Sequence, residues 1–96
     1  MPELLTGKFI EKYPDFPEHM NELGRFIYYR SYSRFLSDKN RRETWKETVR
    51  RSVEYNHQLV IKHFEKIGYP VNILALQQEA EQFFDAMFNL EQFLSG

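Results

Sequence analysis

The chain has 96 residues, no cysteine, an aromatic content of 17% and a formal net charge of −1. That length fits one small domain, residues 1–96. The missing thiol excludes disulfides, cysteine-ligated zinc and thiol chemistry by these residues.

Helical periodicity dominates, so a mainly α fold of about four helices is predicted. Leu5-Thr6 opens a first short helix. Thr6 supplies its cap, and Leu5 is spaced to staple against Ile10. Tyr13-Pro14 ends it, because a residue before proline is pushed out of the α region. Asp15-Phe16-Pro17 reads as a turn, and Glu18 to about Leu23 as a second helix. Arg25 to Leu36 supports two readings. Phe26, Ile27, Tyr28 and Tyr29 favour a strand, whereas Tyr28, Tyr32 and Phe35 share a helical face. A short extended piece followed by a helical turn is expected, and then a polar loop over Ser37-Asp38-Lys39-Asn40.

The third helix is the clearest element. Thr44 and Glu47 have the spacing of a capping box, and a helix is predicted from Thr44 to Ile67. Its buried face is assigned to Trp45, Val49, Val53, Val60, Phe64 and Ile67, with Arg42, Lys46, Arg50 and Arg51 mostly off that face. Asn56-His57 marks the place for a break or bend in so long a helix. Gly68 suits a left-handed C-terminal cap, and Pro70 blocks continuation. Asn72 caps a last helix running to about Asn89, with Leu76, Ala80, Phe83, Phe84, Met87 and Leu90 as its apolar stripe.

Charge is distributed unevenly. The 27 residues from Arg25 to Arg51 carry nine Lys and Arg against three acids, formally +6, and the other 69 residues are −7. Aromatic side chains interleave with the bases. Such a segment binds an anion or docks on an acidic surface. Arg30, Arg34, Arg41 and Arg42 are the candidate nucleotide- or partner-binding residues. The last two precede a helix start, whose amides add a weak anion site. Trp45 is read as a core anchor. Tyr32, Phe83, Phe84 and Phe88 are read with it as core or interface anchors.

Other chemistry finds no support. His57 and His63 are six residues apart, so they do not share a helical face as metal ligands would. No nucleophile elbow or glycine-rich phosphate loop is present. No catalytic residue and no metal ligand are assigned. No apolar run reaches the roughly 18 residues of a membrane span, so no membrane partner is expected. A cysteine-free chain is compatible with a reducing cytoplasm, the expected location.

The run LGRFIYYRSYSRFLSDKNRRETWKETVRRSVEYN, Leu23 to Asn56, resembles the N-terminal region of adenosylcobalamin-dependent (class II) ribonucleotide reductases, the monomeric ribonucleoside-triphosphate reductase type above all. The similarity lies in Leu23-Gly24, in Tyr29-Arg30-Ser31-Tyr32-Ser33-Arg34 and in Arg41-Arg42-Glu43-Thr44-Trp45. It continues in Glu47-Thr48-Val49 and Asn56. The end, from Glu79-Ala80-Glu81 onward, resembles that family's approach to its catalytic barrel. The stretch around His57 to Tyr69 departs from the pattern.

The resemblance implies an oxidoreductase that makes deoxyribonucleotides for DNA replication. Adenosylcobalamin supplies the radical, and cysteines in a ten-stranded α/β barrel carry the chemistry. This chain would be the helical N-terminal domain alone, packing on a separate barrel chain as the small subunit or fragment of a split reductase. It would not be catalytic alone, because it has no cysteine. Its partners would be the larger barrel chain and, in the assembly, the ribonucleotide substrate, with cobalamin held mainly by the partner chain. The alternative is a stand-alone helical nucleic-acid-binding or regulatory module using Arg25 to Arg51; given the resemblance, nucleic acid is not expected as a partner.

Overall fold

A computed structural model describes residues 3–18, 20–31 and 33–89 of the chain. Tyr32 and Leu90, both named above, lie outside the described residues. The elements in chain order are α1 (Gly7–Ile10), α2 (Glu22–Ser31), β1 (Phe35–Leu36), β2 (Arg41–Arg42), α3 (Trp45–Lys66) and α4 (Ile73–Phe88). The fold is therefore mainly helical, with one two-stranded hairpin.

The long helices form as their sequence signals require. The Thr44 hydroxyl accepts from Glu47 N, and the Glu47 carboxylate accepts from Thr44 N at 2.9 Å, which closes the capping box of α3. Asn56 and His57 do not break α3, which stays one helix of 22 residues. Gly68 takes φ +73° just after its end, the left-handed conformation that costs glycine little. Asn72 Oδ1 accepts from Ala75 N and starts α4. At the other end of the chain, Thr6 caps α1 by accepting from Phe9 N.

Two expectations fail in the first half. The predicted helix at Glu18–Leu23 and the extended piece at Arg25 are replaced by one helix, α2, which begins where Asn21 Oδ1 accepts from Gly24 N at 2.8 Å. The strand propensity of Phe26–Tyr29 reports how well such side chains pack on a pleated surface, and no sheet stands there to receive them. Tyr28 is instead fully buried, edge-on to Trp45 at 5.5 Å. The extended piece comes later, in β1, paired antiparallel with β2 as Phe35↔Arg42 and Leu36↔Arg41. Asn40, at φ +52°, makes the tight turn.

The third correction concerns the face α3 buries. Trp45, Val49, Val53, His57 and Ile61 are buried, an unbroken i, i+4 row. Val60 and Ile67, expected inside, are 40% and 54% exposed. A four-residue step advances about 400° around a helix, so such a row drifts about 40° per step. It passes from the side of Trp45 to that of Ile61. α4 follows the row, since packing along i±4 ridges is a common way for two helices to interlock, and buries Ala80, Phe84 and Phe88 against it.

The N-terminal segment closes the core from one flank. Leu4 and Leu5 are fully buried, and both their amides donate to the Glu54 carboxylate at 2.9 to 3.2 Å. Arg50 Nη2 donates to Leu5 O at 3.1 Å and pairs with Glu3 at 3.0 Å. Tyr13 and Phe9 meet Phe84 at ring separations of 4.7 and 5.6 Å. The Tyr13 hydroxyl donates to Asp85 at 2.7 Å. Burial, then that carboxylate, pushes its pKa up to about 12.

Candidate arginine cluster and the open groove of α3

Glu43 lies between β2 and the cap of α3 and is only 3% exposed. A lone carboxylate there would be costly. It is satisfied by Arg51, whose Nε and Nη2 donate to Oε2 and Oε1 at 2.9 and 3.0 Å, and by the Thr48 hydroxyl at 2.6 Å. Its backbone is also pinned: Glu43 N donates to Arg34 O at 2.7 Å, and Ser33 Oγ donates to Glu43 O at 2.7 Å. The Tyr28 hydroxyl donates to the carbonyls of Glu43 and Thr44 at 3.0 and 2.8 Å and touches Thr48 Oγ1. Burial opposes ionisation of Glu43. The hydrogen bonds from Arg51 and Thr48 and the Arg51 charge outweigh it and hold the carboxyl below its ordinary range. The reciprocal bond raises the Arg51 pKa. The network ties α2, the hairpin and α3 together.

The four arginines singled out in the sequence separate into two kinds. Arg41 forms two hydrogen bonds to Glu47 at 2.8 and 3.0 Å, and Arg42 Nη1 donates to Ser33 O at 3.1 Å. Glu47 is held at a pKa of about 2, chiefly by the Arg41 hydrogen bond, against its burial and with help from the Thr44 amide. The helix start that Arg41 and Arg42 were expected to turn into an anion site is therefore occupied by the chain's own carboxylate. Arg30, in the last turn of α2, and Arg34 are exposed, and neither side chain has an ion-pair partner among the described residues.

Arg34 and Arg51 line a hollow of about 510 Å³ with Ser52, Tyr55 and Asn56. Ser52 and Asn56 also line a second hollow, of about 350 Å³, with Val53, His57, Val60, Glu79, Phe83 and Met87. The two hollows share a wall and form one groove along α3, cationic at one end and apolar at the other. His57 sits at the apolar end with its imidazole buried. Nδ1 is 3.0 Å from Val53 O. Nε2 is 3.3 Å from Glu79 Oε1 but poorly directed for a hydrogen bond, so it remains an unsatisfied buried nitrogen.

Of the anchors named from sequence, Trp45 is 5% exposed and donates from Nε1 to Phe88 O at 2.8 Å. Phe84 and Phe88 are buried with it, whereas Phe83 is 54% exposed at the groove. Sequence reasoning passed over Glu43, Thr48, Arg51 and His57. For His57 a signal existed: it stands four residues from both Val53 and Ile61, on the row α3 buries. Among the described residues no cluster of His, Asp and Glu could hold a metal ion, and no helix is long and apolar enough to cross a membrane.

Comparison with known proteins gives the arrangement a family. The ribonucleotide reductase alpha domain family matches residues 5–96. An adenosylcobalamin-dependent ribonucleoside-triphosphate reductase of Lactobacillus helveticus is 37% identical over 93 residues, which is 96% of this chain and 12% of that protein. The protein of the same name from Lacticaseibacillus paracasei is 36% identical over 96 residues, 99% of this chain and 13% of its own length. A probable reductase of this kind from Dictyostelium discoideum is 35% identical over 89 residues, 91% of this chain and 12% of that protein. The chain thus spans about an eighth of the length of the curated relatives it matches. No solved structure matches it. The chain belongs to the ribonucleotide reductase alpha domain family, and it corresponds to an N-terminal region of the adenosylcobalamin-dependent ribonucleoside-triphosphate reductases.

Proposed function

We propose that this chain is the N-terminal helical part, as a fragment or small subunit, of an adenosylcobalamin-dependent ribonucleoside-triphosphate reductase. It packs on the catalytic barrel and completes its fold, so that the assembly reduces ribonucleotides to deoxyribonucleotides. The observation that carries this reading is the match over 96% of this chain to proteins of which it spans only 12%. The chain's own chemistry agrees. With no cysteine it offers no thiol to carry a radical or reduce a ribose.

The hollows given among the described residues do not match the cofactor of the relatives in size. A corrin ring with its nucleotide arm exceeds hollows of about 350 and 510 Å³, which are the size of small-ligand sites. Cobalamin is accordingly assigned to the partner chain. Arg30 and Arg34, whose side chains have no ion-pair partner among the described residues, are the residues available to lend positive charge to a nucleotide or to the partner. Arg41 and Arg42 are already bonded within the chain and are given a structural part. A stand-alone nucleic-acid-binding role draws no support from the geometry, since Arg41, Arg50 and Arg51 are paired with Glu47, Glu3 and Glu43.

The test is reconstitution. The chain is mixed with the catalytic portion of its own reductase, produced as a separate polypeptide without this region, and nucleotide reduction is assayed with adenosylcobalamin. Activity should require both polypeptides. Equal activity from the catalytic portion alone overturns the reading.

A further inference from the structure

Among the described residues, nothing covers the groove along α3. Tyr55 is 64% exposed, Leu59 47%, Val60 40% and Phe83 54%. Large apolar side chains gathered this way mark an interaction site more often than a solvated surface. The unsatisfied Nε2 of His57 is a second, independent sign of an occupant. A buried ring nitrogen without a partner carries a desolvation penalty that an incoming hydrogen-bonding group would remove. The Arg34–Arg51 end adds charge selectivity. Glu43 occupies Arg51 Nε and Nη2; among the described residues the outer Nη1 edge has no bond and the Arg34 guanidinium has no partner.

We propose that this groove is the seat of the catalytic portion of the same reductase. It takes a segment with an apolar side chain for the Val60–Phe83–Met87 hollow, a hydrogen-bonding group for His57 Nε2, and a carboxylate for Arg34 and Arg51. This rests on the proposed function and adds which face of the domain meets the catalytic portion. Two observations favour that occupant. Nearly nine-tenths of the relatives' length lies outside the matched region. The pairing of an apolar hollow with a guanidinium rim also suits a packed protein interface, which has an apolar centre and polar edge.

Affinity for the separately produced catalytic portion is measured by surface plasmon resonance, with sedimentation to define the state of the free chain. Val60→Glu and Phe83→Glu each place a charge in the hollow and should weaken association at least about tenfold. Arg34→Glu should weaken it less and reduce its salt dependence. Leu74→Glu is the control. Leu74 is 65% exposed and nine residues from Phe83, about 180° around α4, so it should bind like the unaltered chain. Thermal melts establish that each variant is folded, and the milder Phe83→Ser replaces any that is not. In the complex, the His57 imidazole nitrogen resonances should shift as Nε2 gains a partner. If the unaltered chain binds and restores activity while the Val60 and Phe83 variants bind equally well, the groove is overturned and the proposed function stands. If the unaltered chain neither binds nor restores activity, both fall. If the free chain is a dimer that Val60→Glu dissociates, a second copy fills the groove and the proposal is overturned.

Discussion

The two flanks of α3 are built from one helix and end differently. On one, Arg50 and Glu54 hold the backbone of Leu4 and Leu5, whose side chains fill the space behind them. On the other, Ser52, Asn56 and Val60 line hollows that no described residue fills. Glu54 and Asn56 are two residues apart and so about 200° apart around the helix. The covered flank works as an interior: apolar side chains are sealed, and each anchoring carboxylate has its donors. The open flank joins an apolar hollow to a cationic one and has no cover among the described residues. On the proposal above, stability is carried by one side of the helix and association by the other.

Substitutions should divide accordingly. The largest effect is expected at the sealed core. Phe84→Ala, at a fully buried ring, should cost about 3–5 kcal/mol in chemical denaturation. An unchanged midpoint would mean the core is not formed as described. Next comes the polar junction. Glu43→Ala strands Arg51 and Thr48 and should cost about 2–3 kcal/mol, less than a fully buried pair because the Arg51 side chain is 35% exposed. Glu54→Ala removes the acceptor of the Leu4 and Leu5 amides and should cost about 1–2 kcal/mol. Amide exchange should then accelerate at those two residues while α4 stays protected.

Acid should act through the covered carboxylates. Glu47 has a folded pKa of about 2 against an ordinary 4.5, a depressed value. Its contribution is present above pH 4.5 and is lost as pH falls from 4.5 toward 2. Glu43, also lowered, adds in the same direction. Unfolding followed from pH 6 to 2 should show declining stability, with a shallower decline in Glu47→Gln. The smallest effect on stability is expected at the open flank. Phe83→Ser should change the unfolding free energy by no more than about 0.5 kcal/mol. A large loss there would mean that Phe83 belongs to the core and would erase the contrast between the flanks.

The sequence by itself determined the elements whose signals are local. Thr6, Thr44 and Asn72 cap helices because a hydroxyl or amide oxygen two or three residues ahead of an orphan N–H needs no distant partner. Gly68 ends α3 for an equally local reason, its tolerance of positive φ. The helix–turn–helix made by α3 and α4 was legible in this way, and so was the family, through Tyr29–Arg34 and Arg41–Trp45. Only the tertiary structure decided the rest. Phe26–Tyr29 became helical because Tyr28 had a buried site against Trp45 and Thr48, and no neighbouring strand was there to pair with. The buried row turned toward His57 and Ile61 because α4 crosses along it, leaving Val60 and Ile67 outside. Which arginines stay free was equally a matter of position. Arg41 and Arg51 met carboxylates of their own chain, whereas Arg34 meets none among the described residues. Caps depend on three or four residues of chain, while burial and ion pairing depend on which elements come to lie side by side.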